Sequence, residues 1–134
     1  MRLGKLELQV VSDGGFRLDG GAMFGVVPRA LWEREKPADE LNRIAMTTNC
    51  LVVRSGDELV LIDTGIGDKH DRKFAEIFAV DEGGRRLPES LRAAGFEPED
   101  VDHVLSTHLH FDHCGWNTRV LDGRLVPTFP KARY

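Results

Sequence analysis

Cysteine is nearly absent from this chain, with Cys50 and Cys114 the only two in 134 residues. So small a supply builds no disulfide framework, and without a CxxC pair it offers no structural thiolate site. Long apolar runs are missing as well. The opening Met1-Arg2-Leu3-Gly4-Lys5 has no signal-like stretch, and no later segment reaches the length of a membrane-spanning helix. Charge of one sign is not in excess either, since 18 basic residues face 22 acidic ones for a net charge of -4. That balance leaves no broad basic footprint for nucleic acid, and Arg85-Arg86, ahead of Leu87-Pro88-Glu89, reads as a solvated turn. The expectation is a cytoplasmic protein with no membrane or nucleic-acid partner, its thiols small buried residues in a reducing compartment.

What remains is a globular balance, 41% apolar and 30% charged, in a chain long enough for one domain with a core. Leu6–Ser12 alternates as a strand, Asp13-Gly14-Gly15 reads as a turn, and Phe16–Leu18 as a second short strand. Residues 19–42 are irregular, interrupted by Gly20-Gly21, Pro28 and Pro37. A hairpin follows, with Arg43–Arg54 turning at Ser55-Gly56-Asp57 into Glu58–Asp63. Its segments Leu51-Val52-Val53 and Leu59-Val60-Leu61-Ile62 are apolar on both faces, as strands covered on both sides are. Asp71–Phe78 and Pro88–Ala94 are predicted helices, the second with Pro88 near its start and Gly95 past its end. Val101–Ser106 is a predicted strand. Strand, helix and strand in that order imply a crossover, right-handed if both strands run parallel in one sheet. Asp63 and His108 then lie just beyond the carboxyl ends of strands, where open α/β sheets hold their ligands.

The run from Thr107 to Gly115 carries three imidazoles and a carboxylate between positions 108 and 113, denser than packing requires. Imidazole nitrogens and carboxylate oxygens suit zinc, iron or manganese. Residues two apart in an extended segment share a side, so His108 and His110 can grip one ion. If the chain tightens at Cys114 and Gly115, Asp112 and His113 swing to a neighbouring point and two adjacent metals become feasible. Cys114 keeps a second reading as a ligand. His70 and His103, outside the cluster, read as structural or exposed.

His108, His110, Asp112, His113 and Gly115 spell HxHxDHxG, which resembles the signature of the metallo-β-lactamase-fold hydrolases. Leu59-Val60-Leu61-Ile62-Asp63-Thr64-Gly65 is similar to the strand-plus-DTG segment that precedes it in that family. Asn117, Thr118 and the closing Phe129-Pro130-Lys131-Ala132-Arg133-Tyr134 extend the likeness to the branch of quorum-quenching lactonases and organophosphate hydrolases. The resemblance implies an α/β fold of the αβ/βα type, a four-layer sandwich of two similar halves, each a mixed sheet with helices on its outer face. It implies His108, His110, Asp112 and His113 as metal ligands, with Asp112 also catalytic as the aspartate that takes up a proton. Asp63, which by itself reads as a turn residue or helix cap, becomes a partner of the histidine loop that orients a ligand and raises its basicity. Two zinc ions per complete site, or manganese, iron or cobalt, would activate water for attack on a small ester-like substrate, a lactone first, then an organophosphate or thioester. Gly65 and Gly67 permit the tight backbone near Asp63. Met23, Phe24 and Trp32 either line an apolar pocket or pack as half-buried core, and Trp116 packs beneath the metal loop.

The resemblance covers the first half of the family pattern alone. Residues 1–134 correspond to its N-terminal half, and the C-terminal half is expected to be absent. No histidine follows His113, so the further histidines and the bridging aspartate of the second half have no counterpart. His108 and His110 give two protein ligands where catalytic zinc takes three plus a water. Weak metal binding is expected, together with an uncovered inner sheet face that associates with itself or with a complementary C-terminal half. Two readings stand: a hydrolase carrying half of its site, and a catalytically incomplete fragment acting only as an association or metal-binding module.

Overall fold

Two long strands set the frame. In the computed structural model, which describes residues 1–81, 83–84 and 86–134, a five-stranded sheet runs in the order β1 (Arg2–Leu3), β2 (Leu6–Asp19), β3 (Arg43–Ser55), β4 (Glu58–Ile62), β5 (His103–Leu105). Neighbours are antiparallel except β4 and β5, which are parallel, the arrangement in which the chain crosses over between them. A tight turn joins β3 to β4 at Gly56, whose φ of 62° suits glycine. The edge of β5 receives the chain's last residues, where Val104 N–H donates to the Arg133 carbonyl (2.8 Å).

The predicted turn at Asp13-Gly14-Gly15 is a bulge within one continuous strand. Ser12 pairs with Asn49 and Gly15 with Thr47, so Asp13 and Gly14 together oppose Thr48. Thr48 Oγ donates to the Gly14 carbonyl (3.1 Å) and Gly14 N–H to Ser12 Oγ (3.1 Å), which pins the extra residue. Burial explains the outcome: the bulge turns Asp13 into the core, where it is 1% exposed.

Residues 19–42, expected to be irregular, contain two single-turn helices, α1 (Gly20–Phe24) and α2 (Arg29–Trp32). Longer helices follow at α3 (Arg72–Phe78) and α4 (Leu87–Ala93). Asp71 caps α3 by accepting from Phe74 N–H (2.8 Å). A single turn, α5 (Phe111–Cys114), carries the end of the histidine run, and β6 (Thr118–Leu121) pairs with β7 (Arg124–Pro127) as a separate hairpin. No helix among the described residues is long and apolar enough to cross a membrane.

Helices cover one face of the sheet. Cys50, Val52, Leu59, Leu61 and Val104 pack there against Leu87 and Leu91 of α4 and against Val101, Trp116 and Phe129. A second cluster, Phe16, Ile66, Ala75 and Val80, continues it under α3. The opposite face carries a row of apolar residues in register, Val10, Leu51, Ile62 and Leu105. Its two ends stay open, with Val10 63% and Leu105 51% exposed. Arg86 departs from the solvated turn expected of it: its half-buried guanidinium donates to the Gly67 carbonyl, and Arg85 lies outside the described residues.

Candidate metal centre

β4 and β5 end side by side, and the loops leaving them interlock. Asp63, the first residue after β4, sits at φ 59°, a left-handed conformation that aspartate tolerates. One carboxylate oxygen accepts from Thr107 N–H (2.8 Å) and both accept from Thr107 Oγ (2.9 Å). The other oxygen stands 2.9 Å from His113 Nδ1. Since an ionised carboxylate can only accept, His113 Nδ1 is the donor of this bond and Nε2 lies on the far side of the ring from Asp63. Burial works to raise the Asp63 pKa, but the hydrogen bonds from His113 and Thr107 outweigh it and hold the carboxyl below its usual value.

Backbone bonds fasten the two loops together. Thr64 N–H donates to the His113 carbonyl (2.8 Å), Gly115 N–H to Gly65 (2.7 Å) and Trp116 N–H to Thr64 (3.2 Å). Glycine is required at this contact, because a Cβ on Gly115 would stand 1.9 Å from the Ile66 carbonyl group.

The sequence-predicted residues gather here. His108 and His110 lie on the loop between β5 and α5, which bends at both residues where an extended segment was expected; their rings are 4.5 Å apart between centroids, and His113 on α5 brings its ring to 4.0 Å from that of His108. Asp112 Oδ2 is 3.4 Å from His113 Nε2. Among the described residues no group of three ligating side chains converges on one point. The donors therefore match a zinc-type ion in kind without closing a coordination shell.

Beside them opens a cavity of about 680 Å³, walled by Leu18, Met23, Met46, Ile77, Phe78 and Phe111, with Arg17 and Arg43 at its side and all four proposed ligands on its lining. Met23 thus lines an apolar pocket, whereas Phe24 and Trp32 do not. Those two rings stack on each other at 5.1 Å, and Trp32 fills the space above Gly20. His103 faces Glu58 (3.7 Å) and His70 packs on Phe74, both away from the cavity lining. Cys114 lends its thiol to the His110 carbonyl (3.2 Å), a structural contact. Burial, with Asp13 and Asp63 nearby, pushes the Cys50 thiol up to about 12.

Two contributors were not foreseen. Lys69 reaches over the end of the histidine loop to donate to the carbonyls of Gly115 and Thr118. Asp13, read as a turn residue, accepts from Ile66, Gly67 and Leu87 N–H and from the Trp116 indole. The one sequence signal for it is a DGG step inside an otherwise alternating strand pattern, which reads as a bulge as readily as a turn.

Residues 43–132 match the profile of the metallo-beta-lactamase superfamily. An N-acyl homoserine lactonase of Bacillus cereus is 30% identical over 88 residues, covering 57% of this chain and 34% of the relative. Among solved structures, a probable metal-dependent hydrolase from Staphylococcus aureus superposes with a TM-score of 0.87 at 34% identity, over 98% of this chain and 47% of that one. AidC, a dizinc quorum-quenching lactonase in complex with a product, gives 0.65 at 26% identity, over 98% and 42%. The chain thus spans about a third of the curated relative and less than half of each solved structure.

Proposed function

The chain belongs to the metallo-beta-lactamase superfamily, and from that premise we propose that it supplies half of the metal site of a hydrolase acting on a small ester-like substrate. The observation that carries this reading is the set of four donors, His108, His110, Asp112 and His113, on the lining of a largely apolar cavity. In this reading those four residues hold zinc, two ions in the complete site, with manganese, iron and cobalt as alternatives. A divalent ion of this kind supplies Lewis acidity and lowers the pKa of a water toward neutrality. Asp63 keeps the His113 proton on Nδ1 and so leaves Nε2 to ligate. Asp112 takes up a proton at its carboxylate. The apolar wall seats the substrate's hydrocarbon part and keeps water off it. A lactone leads because the Bacillus cereus relative and AidC are both lactonases; organophosphates and thioesters follow.

The remaining ligands come, in this reading, from a complementary C-terminal half or from a second copy, docked on the apolar row through Val10 and Leu105. The lack of a convergent trio among the described residues favours a second reading, a catalytically incomplete module that only associates or binds metal. Elemental analysis of the purified chain, run with its oligomeric mass and a lactone-hydrolysis assay, separates the two. Stoichiometric zinc and ring opening in an assembly, both lost in His110→Ala, support the hydrolase. A metal-free, inactive monomer supports the module.

A further inference from the structure

Behind the loops that carry the proposed ligands lies a carboxylate that touches none of them. Asp13 is sealed in the core, and one oxygen accepts from Ile66 N–H (2.8 Å) and Gly67 N–H (3.0 Å) while the other accepts from Leu87 N–H (2.8 Å) and Trp116 Nε1 (2.6 Å). The Arg86 guanidinium, 3.9 Å off, is the nearby positive charge. An anion is costly to bury unless it is hydrogen-bonded, and these four donors meet that need. Their placement is more specific than satisfaction alone demands. Ile66 and Gly67 follow Asp63 on one loop, Trp116 follows His113 and Gly115 on the other, and Leu87 starts α4. Gly65 passes so close that a Cβ there would lie 2.3 Å from Asp13 Cβ.

We propose that Asp13 is a positioning residue for the metal centre: by gripping both loops from behind, it sets the separation between Asp63 and His113 and thereby holds the 2.9 Å bond from His113 Nδ1 to the Asp63 carboxylate, with Nε2 on the far side of the ring. The proposal rests on His113 being a metal ligand, yet its geometric content stands apart from any metal. Its reach runs through the backbone bonds between Thr64, Gly65 and the His113–Trp116 segment. A shift of even 1 Å in such supporting groups is enough to loosen a site.

Asp13→Asn is nearly isosteric but turns an amide NH2 toward two of the four donors, whichever way it flips. The test is made on the whole chain with 15N-labelled histidine, with folding checked by far-UV circular dichroism. Long-range proton–nitrogen spectra of the neutral ring read the His113 tautomer, and titration with cobalt reads metal affinity and the visible absorption of the bound ion. The folded variant is expected to show a mixture of both His113 tautomers where the parent shows Nδ1–H alone, and a cobalt dissociation constant raised about tenfold or more. A folded variant that is merely less stable, with tautomer and cobalt spectrum unchanged, overturns the proposal. If Asp13→Asn fails to fold, Trp116→Phe removes one donor and keeps the aromatic ring. A partial tautomer shift then supports the proposal, and none overturns it. A parent chain that locks the tautomer but binds no cobalt defeats the metal reading, and the tautomer comparison still decides the role of Asp13.

Discussion

The two faces of the sheet have similar sequences and different fates. On the covered face Leu61 is fully buried, packed in one cluster with Leu87 and Leu91, while on the other Leu105 is 51% exposed at the end of an apolar row. Strands that are apolar on both sides belong to sheets covered on both sides. The residues described here cover one. The difference separates the face that these residues pack themselves from the face that they leave open, and substitution can measure the separation.

The largest effect falls on the covered face. Leu61→Ala is expected to cost about 2–5 kcal/mol, the range for emptying a packed leucine site, whereas Leu105→Ala should stay within about 0.5 kcal/mol, as exposed substitutions do. Urea denaturation of the two variants measures both, and equal losses would mean that the open face is packed in solution. Next comes association. Val10→Lys combined with Leu105→Lys places two charges in the apolar row and tests the proposed docking there: association through that row should weaken about tenfold or more in sedimentation velocity, with the secondary structure unchanged. Oligomers that survive it use another surface.

Legibility in the sequence followed the range of the interactions. The hairpin of β3 and β4, the strand β5 and the histidine cluster beyond it were readable, because short apolar runs, a Gly-Asp turn and ligand density are all local signals. Asp13 was not, since its four donors lie 53 to 103 positions away. Two similar steps show why: Asp122-Gly123 makes the β6–β7 hairpin, both residues at positive φ, while Asp13-Gly14 makes a bulge. Exposed, such a step closes a turn; facing four buried donors, the same chemistry keeps the strand running. The apolar cavity was likewise only partly legible. Met23 lines it, but the neighbouring Phe24 and Trp32 found each other instead.

A smaller effect tests whether the covering helices depend on their own ends. Asp71→Ala removes the cap of α3, which shields Phe16 and Ile66, and should cost about 1 kcal/mol. Thermal unfolding reads it, and no change would mean that packing alone fixes the helix start.

The smallest expected effect lies at the sheet's edge, where the two faces meet. Asp102 accepts from Leu59 N–H (2.8 Å) and from Lys131 Nζ (3.0 Å), tying β4 to the segment before β5 and to the chain's last residues. The Leu59 amide and then the Lys131 ammonium hold its carboxyl below the usual aspartate value. A folded-state pKa depressed in this way contributes stability above the unfolded value of about 3.9, and the contribution is lost as pH falls through the lower folded value. The chain should therefore lose stability on acidification below about pH 4, and Asp102→Asn should lose less over that interval while starting from a lower plateau near neutrality. Parallel acid titrations of the two proteins, followed by circular dichroism, check this. Superimposable curves would mean that the edge is held by the backbone bonds of Arg133 and not by the Asp102 carboxylate.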